Sequence, residues 1–394
     1  IIENNLDYKF CQFDYNSSCY ISVRKNEIED KINNFGRPQG EVKSPPQKKK
    51  DVIRIVLRRI APPIFFDFFN VLKKQAMHFF ARKIEPHPDV IKFNRGDKFV
   101  WFGISWESKR LNLIKEMHAT EGVDFYYYCH DIIPCIFPNF VGAQSRLFFM
   151  EYLATLCETS NGIIFNSECS RSDFFAYSKS IGMNKLKSCV VNPANNDLSI
   201  FSKENLSDIV LSLANEKYII YVSTIEKRKN HEVLYKAYLH MLSNAFDNIP
   251  KLVIVGSYGW LVENLIYDFE FDERIKPAVV VLSNVNDDEL AFLYKNCLFT
   301  VYPSFYEGWG MPISESLSAG KFCLTSGQGA IVESGQGLTV EISPYDVISW
   351  ADSIRYFSNN PADLLKIEAE IKDKFLPQSW SSFGCSAFSF IESI

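Results

Sequence analysis

Two stretches of this chain repeat one pattern, a short run of apolar residues followed by a helix-patterned segment, and that pattern leaves few folds open. In the first stretch residues 98–104, 123–129, 162–165 and 186–191 read as strands. Helices are expected at 107–118, 146–159 and 167–178, the last opened by a serine cap. In the second stretch 218–222, 251–255, 279–282, 298–302, 322–326 and 338–340 read as strands, and 232–242, 287–295, 312–319, 347–357 and 362–375 as helices. Strands that are apolar on both faces and alternate with helices build parallel sheets covered on both sides. The expected fold is therefore α/β, with two Rossmann-like, doubly wound domains facing a cleft. The expected boundaries are 1–205 and 206–377. Residues 8–13 and 18–23 resemble short strands, 36–47 a Pro/Gly/Lys-rich loop, and 199–214 a linker with a helix.

Charge narrows the function. The chain of 394 residues carries a formal charge of −5, which argues against general nucleic-acid binding. The average conceals an asymmetry: residues 43–83 sum to +9, leaving −14 for the remainder. Their basic residues are interleaved with Ile53, Val56, Leu57, Phe65, Phe66, Phe68, Phe69, Phe79 and Phe80. Such a segment can lie in the interface of an anionic membrane, or it can be a helical pair packed on the domain with a solvated basic rim. Composition leaves both readings open. The ten cysteines contain no C-x-x-C pair, which suits free thiols in a reducing compartment rather than a zinc site. No run is long and apolar enough to read as a spanning helix, so a cytoplasmic protein is expected, with attachment to the inner face of the plasma membrane as an extension. The chain opens on Ile1 rather than Met, which leaves open whether residues precede it.

Chemistry-bearing residues gather at strand ends of the second stretch, where open parallel sheets bind ligands. After 298–302 comes Pro303-Ser-Phe-Tyr-Glu307-Gly-Trp-Gly310-Met-Pro-Ile-Ser-Glu315-Ser-Leu-Ser-Ala-Gly320. Gly308 and Gly310 allow a backbone to approach a ligand, and Pro312 suits the start of a helix whose N-terminus favours phosphate. Glu315 is expected in that helix's first turn, where a carboxylate can grip a ribose diol. After 218–222 comes Ser223-Thr-Ile-Glu226-Lys-Arg228-Lys229-Asn230-His231, a basic pair able to meet a leaving diphosphate. Alone, such a pair reads as a solvated face. Followed by residues 303–320, it reads as half of a site.

These two motifs resemble those of retaining glycosyltransferase family 4, the glycosyl transferases group 1, whose fold is of the two-domain GT-B type. The stretch from Glu307 to Glu315 is similar to its E-x7-E signature, and residues 222–230 to its "V-G-T-x-E-x-R-K-N" motif, with Ser223 where that motif usually has glycine. The resemblance implies that Glu307 contacts the transferred sugar, that Glu315 binds the donor ribose, and that Gly308, Trp309, Gly310 and Met311 line sugar and diphosphate. It makes Lys229 the phosphate-binding lysine and Arg228 its neighbour, and adds Thr224, Gly256 and Val285 to the donor side. In the first half, His130-Asp131-Ile-Ile-Pro134 resembles the family's "H-D-x-x-P" loop, with His130 facing the donor sugar and Asp131 orienting its imidazole. Trp106 is assigned to the acceptor side. The likeness runs from about residue 98 to 380, is strongest after 218, and is poor before 98, and it implies that 378–394 crosses back to pack on the first domain.

The resemblance further implies transfer with retention of anomeric configuration, by front-face attack in which the leaving phosphate takes the acceptor's proton. No D-x-D follows an apolar strand, so no metal and no cofactor is expected beyond the nucleotide-sugar substrate. The overall similarity is to bacterial O-antigen and capsule polysaccharide transferases. It sets the expectation of a hexosyltransferase using GDP-mannose and a glycan acceptor on a lipid carrier. A nucleotide-sugar 2-epimerase of the same fold and a catalytically silent GT-B partner protein are the rival readings.

Overall fold

A computed structural model describes residues 10–14, 19–23, 90–103, 108–182, 186–195, 202 and 205–394. The basic segment 43–83 and Trp106 lie outside the described residues. The chain divides into two compact units, Asp7–Lys92 and one whose described part lies within Phe93–Ile394. In the first unit, β1 (Phe10–Asp14) and β2 (Cys19–Val23) form an antiparallel pair with Phe10 opposite Val23. Ile21 also bridges Val90.

The second unit contains both parallel sheets. The first sheet runs β3 (Lys98–Trp101), β4 (Asp124–Cys129), β5 (Ser160–Phe165) and β6 (Ser188–Val190), adjacent in that order. Its helices are α1 (Ser108–Glu116), the short α2 (Ile133–Ile136), α3 (Ala143–Thr159) and α4 (Glu168–Ser180). Strand β4, DFYYYC, is buried on both faces, as a central parallel strand must be. A buried tyrosine needs a partner for its hydroxyl. Tyr127 meets Thr159 Oγ1 at 2.6 Å, and Tyr128 donates to Val191 O at 3.2 Å. Ser167 caps α4, accepting from the Ser170 N–H at 3.0 Å.

After α5 (Asp208–Ser212) the second sheet is built from β7 (Tyr218–Val222), β8 (Lys251–Val255), β9 (Val279–Leu282), β10 (Thr300–Tyr302), β11 (Cys323–Thr325) and β12 (Val340–Glu341). Its helices are α6 (His231–Ser243), α7 (Glu263–Phe271), α8 (Asp287–Asn296), α9 (Met311–Ser318), α10 (Ile331–Gly335), α11 (Val347–Asn359) and α12 (Pro361–Lys374). The strand order is β12-β11-β10-β7-β8-β9. The sequence pattern assigns no element between Gly256 and Val279, yet α7 forms there. Its apolar stripe is narrow, with only Leu265 and Phe269 buried while Tyr267 and Phe271 stay exposed. Trp350 is fully buried on α11 and donates its Nε1–H to Ser343 O at 3.0 Å. Truncating such a side chain to alanine costs about 3–5 kcal/mol.

The last helix, α13 (Trp380–Glu392), lies on the first sheet. Phe383, Ala387 and Ile391 pack with Tyr126, Tyr128 and Ile164. Gly162 permits the approach, since a Cβ there would stand 2.9 Å from Ile394 Cδ1. Lys98 Nζ donates to Ile391 O at 2.7 Å, fastening the helix end to β3.

Candidate active site

The strand order of the second sheet reverses between β7 and β10, so their loops leave in opposite directions and open a crevice at the carboxyl edge. The two loops are cross-bonded. Phe305 N–H donates to Arg228 O at 2.9 Å. Asn230, left-handed at φ 56°, donates its side-chain amide to Pro303 O at 3.1 Å and Pro344 O at 2.8 Å. Tyr221 Oη–H donates to Lys229 O at 2.6 Å from inside the sheet. Backbone bonding therefore sets where the side chains of Arg228 and Lys229 begin.

Both cations end on one carboxylate. Lys229 Nζ lies 2.6 Å from Glu307 Oε1, and Arg228 Nη1 lies 2.6 Å from Glu307 Oε2. Ser304 Oγ–H and Tyr302 Oη–H also donate to Glu307 Oε1, at 2.5 and 3.2 Å. Lys229 donates to Tyr302 Oη at 2.8 Å, so the phenol relays between ammonium and carboxylate. Arg228 reaches back to Glu226 Oε1 at 2.8 Å and donates to Tyr306 O at 2.9 Å.

Burial alone would raise the Glu307 carboxyl, but Arg228 and then Lys229 outweigh it and hold it down at about 2. Burial lowers the Lys229 ammonium more than Glu307 raises it, with Arg228 adding repulsion. The two partners thus shift the same way although they form one pair. The carboxylate's direction is the firmer, because two cations and two hydroxyls converge on it. Arg228 is held up by Glu307 and Glu226 against the pull of burial. His231, buried beside Lys229, is pushed down to about 3 and stays neutral, with Nε2 3.2 Å from Ser223 Oγ. Two carboxylates against two cations leave the cluster neutral, where the motif alone suggests a free cationic pair. Glu226, Tyr302, Ser304 and Tyr306 complete it. Sequence reasoning did not select them, although Glu226, Ser304 and Tyr306 lie within the two motifs it singled out and Tyr302 ends the strand before the second.

Beyond Glu307 the chain turns into α9. Gly310 precedes the helix at φ 101°, a conformation L side chains rarely adopt. Met311 opens the helix and is half-buried. Trp309 is buried, and its Nε1–H has no partner among the described residues. Glu315 stands five residues into α9, in its second turn rather than the expected first, because the helix starts at Met311. It is buried and accepts from Tyr294 Oη at 3.1 Å. Gly256 is needed for packing: a Cβ there would come 2.0 Å from Ser223 O. Thr224 is exposed at the end of the β7 loop, and Val285 is half-buried ahead of α8.

From the first sheet, the loop after β4 meets this turn. A Cβ on Gly308 would stand 2.5 Å from His130 O and 2.7 Å from Asp131 Cβ. His130 is exposed, with Nε2 3.4 Å from Phe102 O and its ring edge-on to Tyr128 at 4.9 Å. The expected Asp131–imidazole bond is not formed. Asp131 Oδ1 accepts from Ile133 N–H at 2.9 Å, because an aspartate two residues before a helical turn satisfies that turn's free donor first. Trp106 has no described position, so the acceptor side gains nothing from it.

Two doubly wound lobes meeting over a switch-point cluster define a GT-B fold. HepE from Anabaena, solved in complex with UDP-glucose, superposes with a TM-score of 0.57 at 17% identity, over 75% of this chain and 79% of its own. Residues 202–374 match the family model described as Glycosyl transferases group 1, and the chain carries a domain of that family. O-antigen chain mannosyltransferase B of Escherichia coli is 34% identical over 139 residues, 35% of this chain and 36% of that protein. The serotype-specific mannosyltransferase WbdA of Escherichia coli is 25% identical over 230 residues, 56% of this chain and 27% of WbdA. The chain thus spans little more than a third of the first relative's length and about a quarter of the second's.

Proposed function

We propose that the chain is a retaining glycosyltransferase that moves a hexose, mannose from GDP-mannose, onto a growing cell-surface glycan carried on a lipid at the inner face of the plasma membrane. The observation that carries this reading is the convergence of Lys229, Arg228 and Glu307 at the switch point, with Gly308 seated on His130. The names of the relatives, O-antigen and serotype-specific mannosyltransferases, support the sugar and the product class. HepE was solved with UDP-glucose, so the base is a matter for the experiment below.

In this reading the donor diphosphate lies against the start of α9 and takes over hydrogen-bond donors of Lys229 and Arg228. Because the resting cluster is neutral, the incoming phosphates exchange for Glu307, which then faces the transferred sugar. Glu315 receives the ribose and His130 faces the reacting carbon from the other lobe. The acceptor attacks from the side the diphosphate leaves, and a phosphate oxygen takes its proton. Two cations and a helix N-terminus meet the leaving charge without a metal ion.

Nucleoside diphosphate release from GDP-mannose, UDP-glucose and UDP-N-acetylglucosamine tests the reading, each with and without a lipid-linked glycan and with EDTA. Release that requires the acceptor and survives EDTA is expected, with an axial product linkage by NMR coupling. An epimerised nucleotide sugar, or no release with any donor and acceptor, overturns it.

A further inference from the structure

The first turn of α4 carries an electrostatic feature that the donor site does not use. A helix of 13 residues ends at its N-terminus in unpaired N–H groups and partial positive charge. Ser167 takes the Ser170 N–H. The two donors before it go to one carboxylate from the other lobe. Glu333 Oε2 accepts from Glu168 N–H at 2.8 Å, and Oε1 from Cys169 N–H at 2.7 Å. The helix's own acid does not compete, since the Glu168 carboxylate is forked onto Arg171 at 2.7–3.1 Å.

Further bonds join the first two turns of α4 to the second lobe. Ser170 Oγ lies 3.2 Å from Gly308 O and 3.1 Å from His130 O, bridging the loops that face each other. Tyr306 Oη–H donates to Asp173 Oδ2 at 2.7 Å. Residues 306 and 308, on either side of Glu307, are therefore both held by α4.

We propose that Glu333 is a positioning residue that latches the two lobes together, filling the N-terminus of α4 and so setting the Glu307 loop opposite His130. Its consequence for turnover rests on the glycosyltransferase reading; the latch itself does not. The carboxylate is half-buried, so on opening it regains water while the α4 donors lose a charged partner. A charge-assisted contact of this kind shifts the closed-to-open ratio by about tenfold. Glu333→Gln keeps the shape but loses the charge and one of two acceptor oxygens. Glu333→Asp keeps the charge on a shorter arm.

The test measures small-angle scattering and donor kinetics on the whole 394-residue chain for wild type, E333Q, E333D and the exposed-pair control E273Q. E333Q should enlarge the radius of gyration without loss of far-UV dichroism. It should raise the donor KM about tenfold with a smaller fall in kcat. E333D should recover part of both effects, and E273Q should match wild type. Scattering and kinetics of E333Q that coincide with wild type overturn the latch. If wild type turns over no sugar nucleotide, the transfer reading fails and the scattering alone decides the latch. Should E333Q not fold, Tyr306→Phe, which removes the hydroxyl's contacts with Asp173 and Cys169 and no charge, takes its place in the scattering comparison.

Discussion

Glu307→Gln is the sharpest test of the charge cluster. The substitution keeps the volume of the side chain and removes the one anion shared by Lys229 and Arg228. In the wild type the Glu307 carboxyl is held at about 2 against an ordinary value of 4.5. A shift of roughly 2.5 units corresponds to about 3 kcal/mol at about 1.4 kcal/mol per unit. Breaking a buried ion pair from one side costs about 3–5 kcal/mol by general experience, which agrees. The sign follows from linkage. A carboxyl lowered by folding contributes in full above its unfolded value of 4.5, and the contribution is lost as pH falls through about 2. At pH 3.5 roughly 1.4 kcal/mol of it should already be gone. Urea unfolding of wild type and E307Q at pH 7 and pH 3.5 measures this directly. The stability gap should be about 3 kcal/mol at neutral pH and near half that at the lower pH. A gap under about 1 kcal/mol, or one that does not narrow with acid, refutes the view that Glu307 is the charged centre of the cluster.

The remaining expectations concern the frame around that centre. Tyr302→Phe removes the phenol that accepts from Lys229 and donates to Glu307, and should cost about 1–2 kcal/mol in urea unfolding while leaving the fold intact. Gly310→Ala puts a side chain at φ 101°, with its Cβ 3.1 Å from Ile313 Cδ1. A loss of about 1–3 kcal/mol in thermal unfolding is expected. Gly308→Ala drives a methyl into His130 O at 2.5 Å and should lower kcat/KM for donor turnover by about a hundredfold with little change in melting temperature. Unchanged turnover would mean that the two loops need not touch during the reaction.

The sequence by itself determined the two parallel sheets, because a strand buried on both faces must be apolar throughout, and β4, β7 and β8 each show it within five or six residues. It also singled out the two loops that carry Arg228, Lys229 and Glu307, since strand ends followed by glycines or paired charges are local features. The helix α7 was not legible, because two buried side chains in nine residues make no clear period. Only the tertiary structure decided what those charges do. Arg228 and Lys229 read as free cations along the chain, and pairing with a carboxylate 78 positions away makes them half of a neutral cluster. Asp131 turned from the imidazole to a nearer backbone donor, and Glu333 found the start of a helix 165 residues earlier. A charge advertises itself locally, but its partner is chosen by which loops the sheets bring within hydrogen-bonding distance, and linear order does not encode that distance.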